Sequence, residues 1–277
     1  MTTTAAPADR YFNSGNLRIH YLDWGNEGAK PLILLHHISS NAHTWDDFAR
    51  NVRSRYRVLA MDMRGHGDSA WAGEGNYTTE HYASDVTALI QHLGLRNVVV
   101  LGGSTGGRVA LVAAAQNADR VAALVMEDVG AVRPATISQG FADRVATGDP
   151  QFDTVEEWAK SLQGQNQRTP YRFFQNLALH GTKRLPNGKL GLKRDVLIQR
   201  DFVPLELWHY VEKVKAPFLL MIGTESTIVG QDQQTRFKQI RPDIEMVTVQ
   251  GAGHIIVHDK PEEFERLVLD FLGRHGV

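Results

Sequence analysis

Cysteine is absent from the 277 residues, which excludes disulfides, a thiolate metal centre and a cysteine nucleophile. Charge of one sign is lacking too: 30 Lys and Arg stand against 31 Asp and Glu, a formal net charge of −1. So balanced a chain has no electrostatic reason to take nucleic acid or an anionic membrane as partner. No apolar run reaches the ~20 residues of a membrane span. The opening stretch, Met1 to Arg10, holds no apolar signal core, and a cytoplasmic location is the expectation. No glycine-rich loop leads into a Lys-Ser/Thr pair, so nucleotide binding is unsupported. His36, His37 and His254 lack the paired spacing of a zinc site, and neither metal nor cofactor is expected. Internal repeats and low-complexity tracts are missing as well.

What is present is ordinary in bulk and specific in one place. At 42% hydrophobic and 22% charged residues, the chain has the composition of a globular protein long enough for one domain with an insertion. The specific place is Val98-Val99-Val100-Leu101-Gly102-Gly103-Ser104-Thr105-Gly106-Gly107. A β-branched run enters a glycine pair, a serine follows, and two more glycines open the small-residue stretch Arg108 to Ala115. The pattern predicts a strand, a very tight turn and a helix. Gly102 and Gly106 remove side chains where strand and helix cross, leaving the Ser104 hydroxyl clear in a strained backbone. A nucleophile gains from that position, at the positive end of a helix dipole. A flexible glycine linker would not carry these flanks.

Apolar runs at 31–35, 56–61, 98–101, 121–126, 218–222 and 245–249 predict strands, and Leu17 to Tyr21 alternates like a half-buried one. Helical spacing follows Trp45, recurs through Tyr82, Val86, Leu89, Ile90 and Leu93, and closes the chain after Pro261. Strands alternating with helices mean an α/β fold, a mostly parallel sheet covered on both faces, with ligands beyond the strands' C-terminal ends. Between 131 and 211 the strand rhythm stops. Trp158, Phe173, Phe174 and their neighbours suggest short helices, and Lys189 to Asp195 looks extended. The expected organisation is a core of 1–130 and 212–277 with a cap subdomain, 131–211, inserted over the site.

These features together resemble the α/β-hydrolase fold superfamily over nearly the whole length. The resemblance rests on the His36 loop, Arg64-Gly65-His66-Gly67-Asp68-Ser69, Gly102-Gly103-Ser104-Thr105-Gly106 and Gly253-His254. It implies a serine hydrolase of esterase, lactonase or amidohydrolase type acting on a small-molecule substrate. Ser104 then stands as nucleophile, His254 as general base and later acid, and the N–H groups of Ile38 and Thr105 as the oxyanion hole. Serine at 104 argues against the branches whose nucleophile is aspartate.

The chain departs from the common pattern in three places. Where the resemblance implies the triad aspartate, after the next-to-last strand, Thr227 stands, with Glu225 nearby as a fallback. Some members carry the acid after the strand that follows the nucleophile helix; here that is Asp128, with Glu127 the next alternative. Alternation along a strand means that Glu127 and Asp128 do not both face His254. His37 replaces a customary glycine, adding bulk and a titratable ring beside the oxyanion hole. Gly103 replaces a customary histidine or aromatic residue and is expected to widen the site floor. Trp158, Phe173 and Trp208 are candidate pocket walls. Asp62, Arg64 and Ser69 read as scaffold, His36 as a loop-internal hydrogen-bonding group, and His258 as a surface residue of the closing helix. Two rival readings remain: a cofactor-free oxygenase or lyase using a His254–Asp128 dyad, and a non-catalytic ligand-binding relative. Substrate and oligomeric state are not legible.

Overall fold

The computed structural model describes residues 6–133, 139–140, 143, 145–199 and 206–277. The positions between them, inside the inserted segment expected from the sequence, lie outside the described residues. The strands are β1 (Ala8–Ser14), β2 (Leu17–Asp23), β3 (Lys30–Leu35), β4 (Tyr56–Met61), β5 (Val98–Gly103), β6 (Val121–Glu127), β7 (Thr182–Arg184), β8 (Leu190–Leu192), β9 (Phe218–Gly223) and β10 (Glu245–Val249). Eight of them form one sheet in the order β1-β2-β4-β3-β5-β6-β9-β10. β1 and β2 join antiparallel, and every other pairing in the sheet is parallel. β1 was not legible: Asp9, Arg10 and Asn13 break its apolar pattern, and its ladder to β2 holds it in place.

The central strands alternate faces residue by residue, as a pleated strand must. Ile33, Leu35, Val98, Val100, Leu124 and Met126 enter one core. Leu32, Leu34, Val99, Leu101, Ala123 and Val125 enter the other. Two layers of helices cover these faces. α1 (Asp46–Val52) brings Phe48 and Ala49 to the second core. α2 (Thr79–His92) brings Tyr82, Val86 and Leu89 to the first, its start capped by the Thr78 hydroxyl accepting from the His81 N–H. α3 (Thr105–Gln116) is buried along almost its whole length.

Between β6 and β9 no described residue joins the main sheet. Instead α4 (Val155–Gln165) and α5 (Tyr171–His180) pack around Trp158, Phe152 and Phe174, and β7 pairs with β8 as a separate hairpin. The extended look of Lys189 to Asp195 thus resolves into β8 and an isolated bridge between Arg194 and His66. A short α6 (Trp208–Val211) leads back to the sheet. α7 (Gln231–Ile240), α8 (Ile256–Asp259) and α9 (Pro261–Arg274) complete the cover, with Phe264, Val268, Phe271 and Leu272 forming the buried stripe of α9. Among the described residues no helix is long and apolar enough to cross a membrane.

The loop after β4 is scaffold. Asp62 is buried, and its carboxylate accepts from the Ala42 and Asp68 amides and faces His20 at 2.7 Å. Burial pushes the Asp62 carboxyl up, but His20, the nearby His36 and the Asp68 amide outweigh it and the net shift is downward. Arg64 meets Asp85 through two hydrogen bonds of 2.7 and 2.6 Å, and the Ser69 hydroxyl donates to the Asp62 carbonyl.

Candidate active site

The site starts from a backbone constraint. Ser104 sits at φ 52° and ψ −118° between β5 and α3, a conformation that costs a side-chain-bearing residue about 1–3 kcal/mol. Neighbouring contacts enforce it. A Cβ on Gly102 would lie 2.1 Å from the Gly106 carbonyl oxygen, and one on Gly106 would lie 2.2 Å from that of Leu35. Only glycine lets the first turn of α3 press this closely on β3 and β5. The Ser104 N–H donates to the Glu127 carbonyl at 3.0 Å, and the Ser104 carbonyl accepts from Gly107 and Arg108. The nucleophile candidate is therefore pinned to the end of β6 and to its own helix.

Three side chains from distant positions meet there. Ser104 Oγ lies 2.9 Å from His254 Nε2, and His254 Nδ1 lies 2.8 Å from Asp128 Oδ2. With a carboxylate on Nδ1, that nitrogen carries the proton and Nε2 presents its lone pair to the serine. Asp128 is fully buried, at φ 44°, with its N–H bonded to the Met221 carbonyl. Its Oδ1 accepts from the Gly223 N–H at 3.1 Å and its Oδ2 also accepts from the Ser226 hydroxyl. Ser226 was missed in the sequence. No spacing rule points to it, because it reaches Asp128 only when β6 and β9 lie side by side.

The other carboxylates are placed elsewhere. Glu225 faces Arg168 at 3.4 Å on the surface, and Thr227 is exposed. Glu127 turns away from His254, as strand alternation requires. One of its oxygens accepts from the Val257 N–H at 2.7 Å and the other faces His37 Nε2 at 3.3 Å, an ion-pair distance without hydrogen-bond alignment. Burial pushes the Glu127 carboxyl up, yet His37 and the Val257 amide outweigh it and the net shift is downward. Glu127 thereby ties down the segment just after His254. Asp259 ties the other side, accepting from the Gly253 N–H at 2.8 Å and from the Thr169 hydroxyl of the inserted segment at 2.6 Å.

The loop after β3 is held by two neutral imidazoles. His36 Nδ1 donates to the His37 carbonyl while Nε2 accepts from the Met63 N–H. His66 Nδ1 donates to the Arg64 carbonyl while Nε2 accepts from the Ser39 N–H. Burial drives His36 down to about 4 and His66 down to about 3. Ile38, half-buried, precedes Ser39 at φ 63°. Thr105 opens α3, where the first amides have no helical acceptor.

Two expectations need correction. Gly103 does not widen the site floor: a Cβ there would lie 2.4 Å from His37 Cε1 and 2.5 Å from Glu127 Oε2. The His37 ring fills that volume, edge-on to His254 with centroids 5.9 Å apart. His258 is not a surface residue. It is buried, its Nε2 donates to the Thr44 carbonyl, and its ring stacks on Phe173 at 4.4 Å.

The three aromatic wall candidates fall in three different cavities. Trp158 lines one of about 300 Å³ together with Ser39, Phe152 and Arg194. Phe173 lines one of about 210 Å³ beside His43 and Asp46. Trp208 lines one of about 530 Å³ with Thr227 and Gln233, and packs against Phe237.

The sheet order and the strained turn between β5 and α3 are those of the α/β-hydrolase fold. Residues 30–261 match the alpha/beta hydrolase fold family, and the chain belongs to it. It is 28% identical over 262 residues to the N-formylmaleamate deformylase of Pseudomonas putida, covering 94% of each chain. It is 30% identical to an esterase of Mycobacterium tuberculosis, covering 91% of this chain and 86% of that one. The crystal structure of an E-2-(acetamidomethylene)succinate hydrolase superposes with a TM-score of 0.88 at 24% identity, over 96% of this chain and 99% of that one.

Proposed function

We propose that the protein hydrolyses an ester, lactone or amide of a small organic molecule through Ser104, His254 and Asp128. The observation that carries this is the continuous relay of 2.9 and 2.8 Å from Ser104 Oγ through the imidazole to a buried carboxylate. His254 Nε2 takes the hydroxyl proton as Ser104 Oγ attacks the substrate carbonyl carbon. The carbonyl oxygen becomes an oxyanion, and the N–H groups of Ile38 and Thr105 are its donors, each contributing roughly 3 kcal/mol of barrier lowering. Asp128 holds the imidazolium that forms. The imidazolium then protonates the leaving alcohol or amine, and an acyl-enzyme remains. Water, deprotonated by His254, attacks the acyl carbon; the second tetrahedral intermediate collapses, Ser104 recovers its proton and the carboxylic acid departs.

The segment 131–211 acts in this reading as a cap over the strand ends. The cavity between Trp158, Arg194 and Ser39 is lined by the residue that follows Ile38, and in this reading it takes the substrate group farthest from Ser104. One relative is named for removing a formyl group and another as an esterase, so N-formyl amides and simple carboxylic esters are the first substrates to assay.

Intact-protein mass after treatment with a small fluorophosphonate tests the mechanism. Wild-type protein is expected to gain one adduct and Ser104→Ala none, with turnover lost in the variant. Turnover that survives in Ser104→Ala would favour a His254–Asp128 dyad acting on the substrate directly. An adduct retained in the variant would move the nucleophile elsewhere.

A further inference from the structure

Away from the relay, a second set of side chains converges where the inserted segment meets the core. His43 lies in a 3₁₀ turn, Ala42–Trp45, that runs directly into α1, whose first residue is Asp46. The i,i+3 spacing puts both on one helical face, with His43 Nδ1 3.0 Å from Asp46 Oδ2. The partner comes from far along the chain. His180, the last residue of α5, lays its ring over that of His43, with centroids 3.4 Å apart and planes inclined by 18°. One turn earlier on α5, Asn176 Nδ2 donates to the His43 carbonyl at 3.1 Å and to Asp46 Oδ2 at 3.0 Å. The carboxylate is therefore oriented from the same helix that supplies the second imidazole. All three residues are half-buried, and their ligand atoms lie within 4.8 Å of one another.

From these contacts we infer that His43, Asp46 and His180 bind one divalent transition-metal ion and that the ion clamps α5 of the inserted segment to the start of α1. Tetrahedral coordination at about 2.0–2.2 Å needs ligand atoms about 3.4 Å apart. The observed ligand atoms, within 4.8 Å of one another, must draw in by about 1 Å, which requires the two stacked rings to fan apart. Two imidazoles and one carboxylate are a borderline donor set. It selects zinc, nickel, cobalt or copper over magnesium or calcium and leaves a fourth position for water. The other cluster of comparable composition, His20 with Asp62 and Asp68, is already committed. There both His20 ring nitrogens already face carboxylates, Asp62 and Asp9, and the buried Asp62 accepts two backbone amides, so His20 offers no free ligand atom.

The clamp is independent of the hydrolytic chemistry, and its test reads binding and stability. Chelator-treated full-length protein is titrated calorimetrically with Zn(II), and with Co(II) followed by visible absorption. One saturable tight equivalent is expected, with Co(II) giving the intense bands of a four-coordinate site. At a hundredfold excess over Kd, thermal unfolding should shift upward by about 5 °C. Asp46→Asn and His180→Ala should each weaken binding at least about tenfold, whereas the exposed His209→Ala should not. The chain has 12 histidines, so adventitious uptake is the rival outcome. Tight binding that survives both Asp46→Asn and His180→Ala overturns the assignment. A wild-type protein that takes up no tight equivalent overturns it whatever the variants do.

Discussion

At the scale of single residues, the carboxylate that faces His254 lies just past the end of β6, a position set by how strands are ordered. Asp128 is buried, accepts from the Gly223 amide and the Ser226 hydroxyl, and lies 2.8 Å from His254. Glu225 is held at the surface by Arg168. Replacing Asp128 by Asn should lower kcat by about 10⁴-fold, the loss seen when a serine triad keeps its shape but not its imidazole tautomer. Glu225→Gln should leave kcat near wild type. Equal losses in the two variants would remove Asp128 from its proposed role. Gly103 and His37 form a second residue-scale unit, since the ring occupies the space a side chain at 103 would need. Gly103→Ala should destabilise by about 1–3 kcal/mol through overpacking. Adding His37→Gly should recover part of that loss, a coupling that denaturation of both single variants and the double variant measures. Strict additivity would mean that the two positions do not compete for one volume.

At the scale of elements, the site depends on how closely α3 approaches the sheet. Gly106 faces the Leu35 carbonyl, which belongs to a central strand and cannot swing aside as a side chain tip would. Gly106→Ala should therefore cost roughly 4 kcal/mol or more, the range reserved for core overpacking and backbone strain. Chemical denaturation reads this directly, and a wild-type midpoint would contradict the account. The segment carrying His254 is held from two sides, by Glu127 at the Val257 amide and by Asp259 at the Gly253 amide. Asp259 also takes the Thr169 hydroxyl, so the inserted segment and the loop carrying His254 share an anchor. The buried Thr169 hydroxyl also accepts from Asn166, so Thr169→Val should lower kcat and destabilise by about 1–3 kcal/mol. Thr169→Ser, which keeps the hydroxyl, should stay near wild type in both. A Thr169→Val variant with wild-type kcat would remove the anchor from the account.

At the scale of the whole molecule, buried histidines set the response to acid. His36 and His66 are held neutral, at about 4 and about 3, by burial, and burial also pushes His258 down. For a base whose folded value is depressed, the unfolded chain takes up protons first. The associated stability is complete above the unfolded value near 6.5 and drains away as pH falls towards 4. His20 acts in the opposite sense: burial pushes it down, but Asp62 and Asp9 outweigh that and raise it. With His36 and His66 each worth up to ~1.4 kcal/mol per pH unit and His20 opposing, the protein should lose about 3 kcal/mol between pH 7 and pH 5. Urea unfolding at the two pH values checks this, and equal stabilities would mean that these rings accept protons in the folded state.

Period and punctuation were enough to read much of the molecule. The parallel strands, the glycine-flanked serine, the late histidine and the interrupted rhythm after residue 130 are local patterns of apolar spacing and backbone permissiveness, and the sequence carries them directly. Contacts between remote segments are another matter. Ser226 on Asp128, Glu127 beneath His37, His258 buried under Phe173, and His180 stacked on His43 each join positions that no local period relates. Their partners are chosen by strand order and helix docking. Apolar periodicity along one segment says which face is buried, but what that face meets is decided only when the whole sheet has assembled.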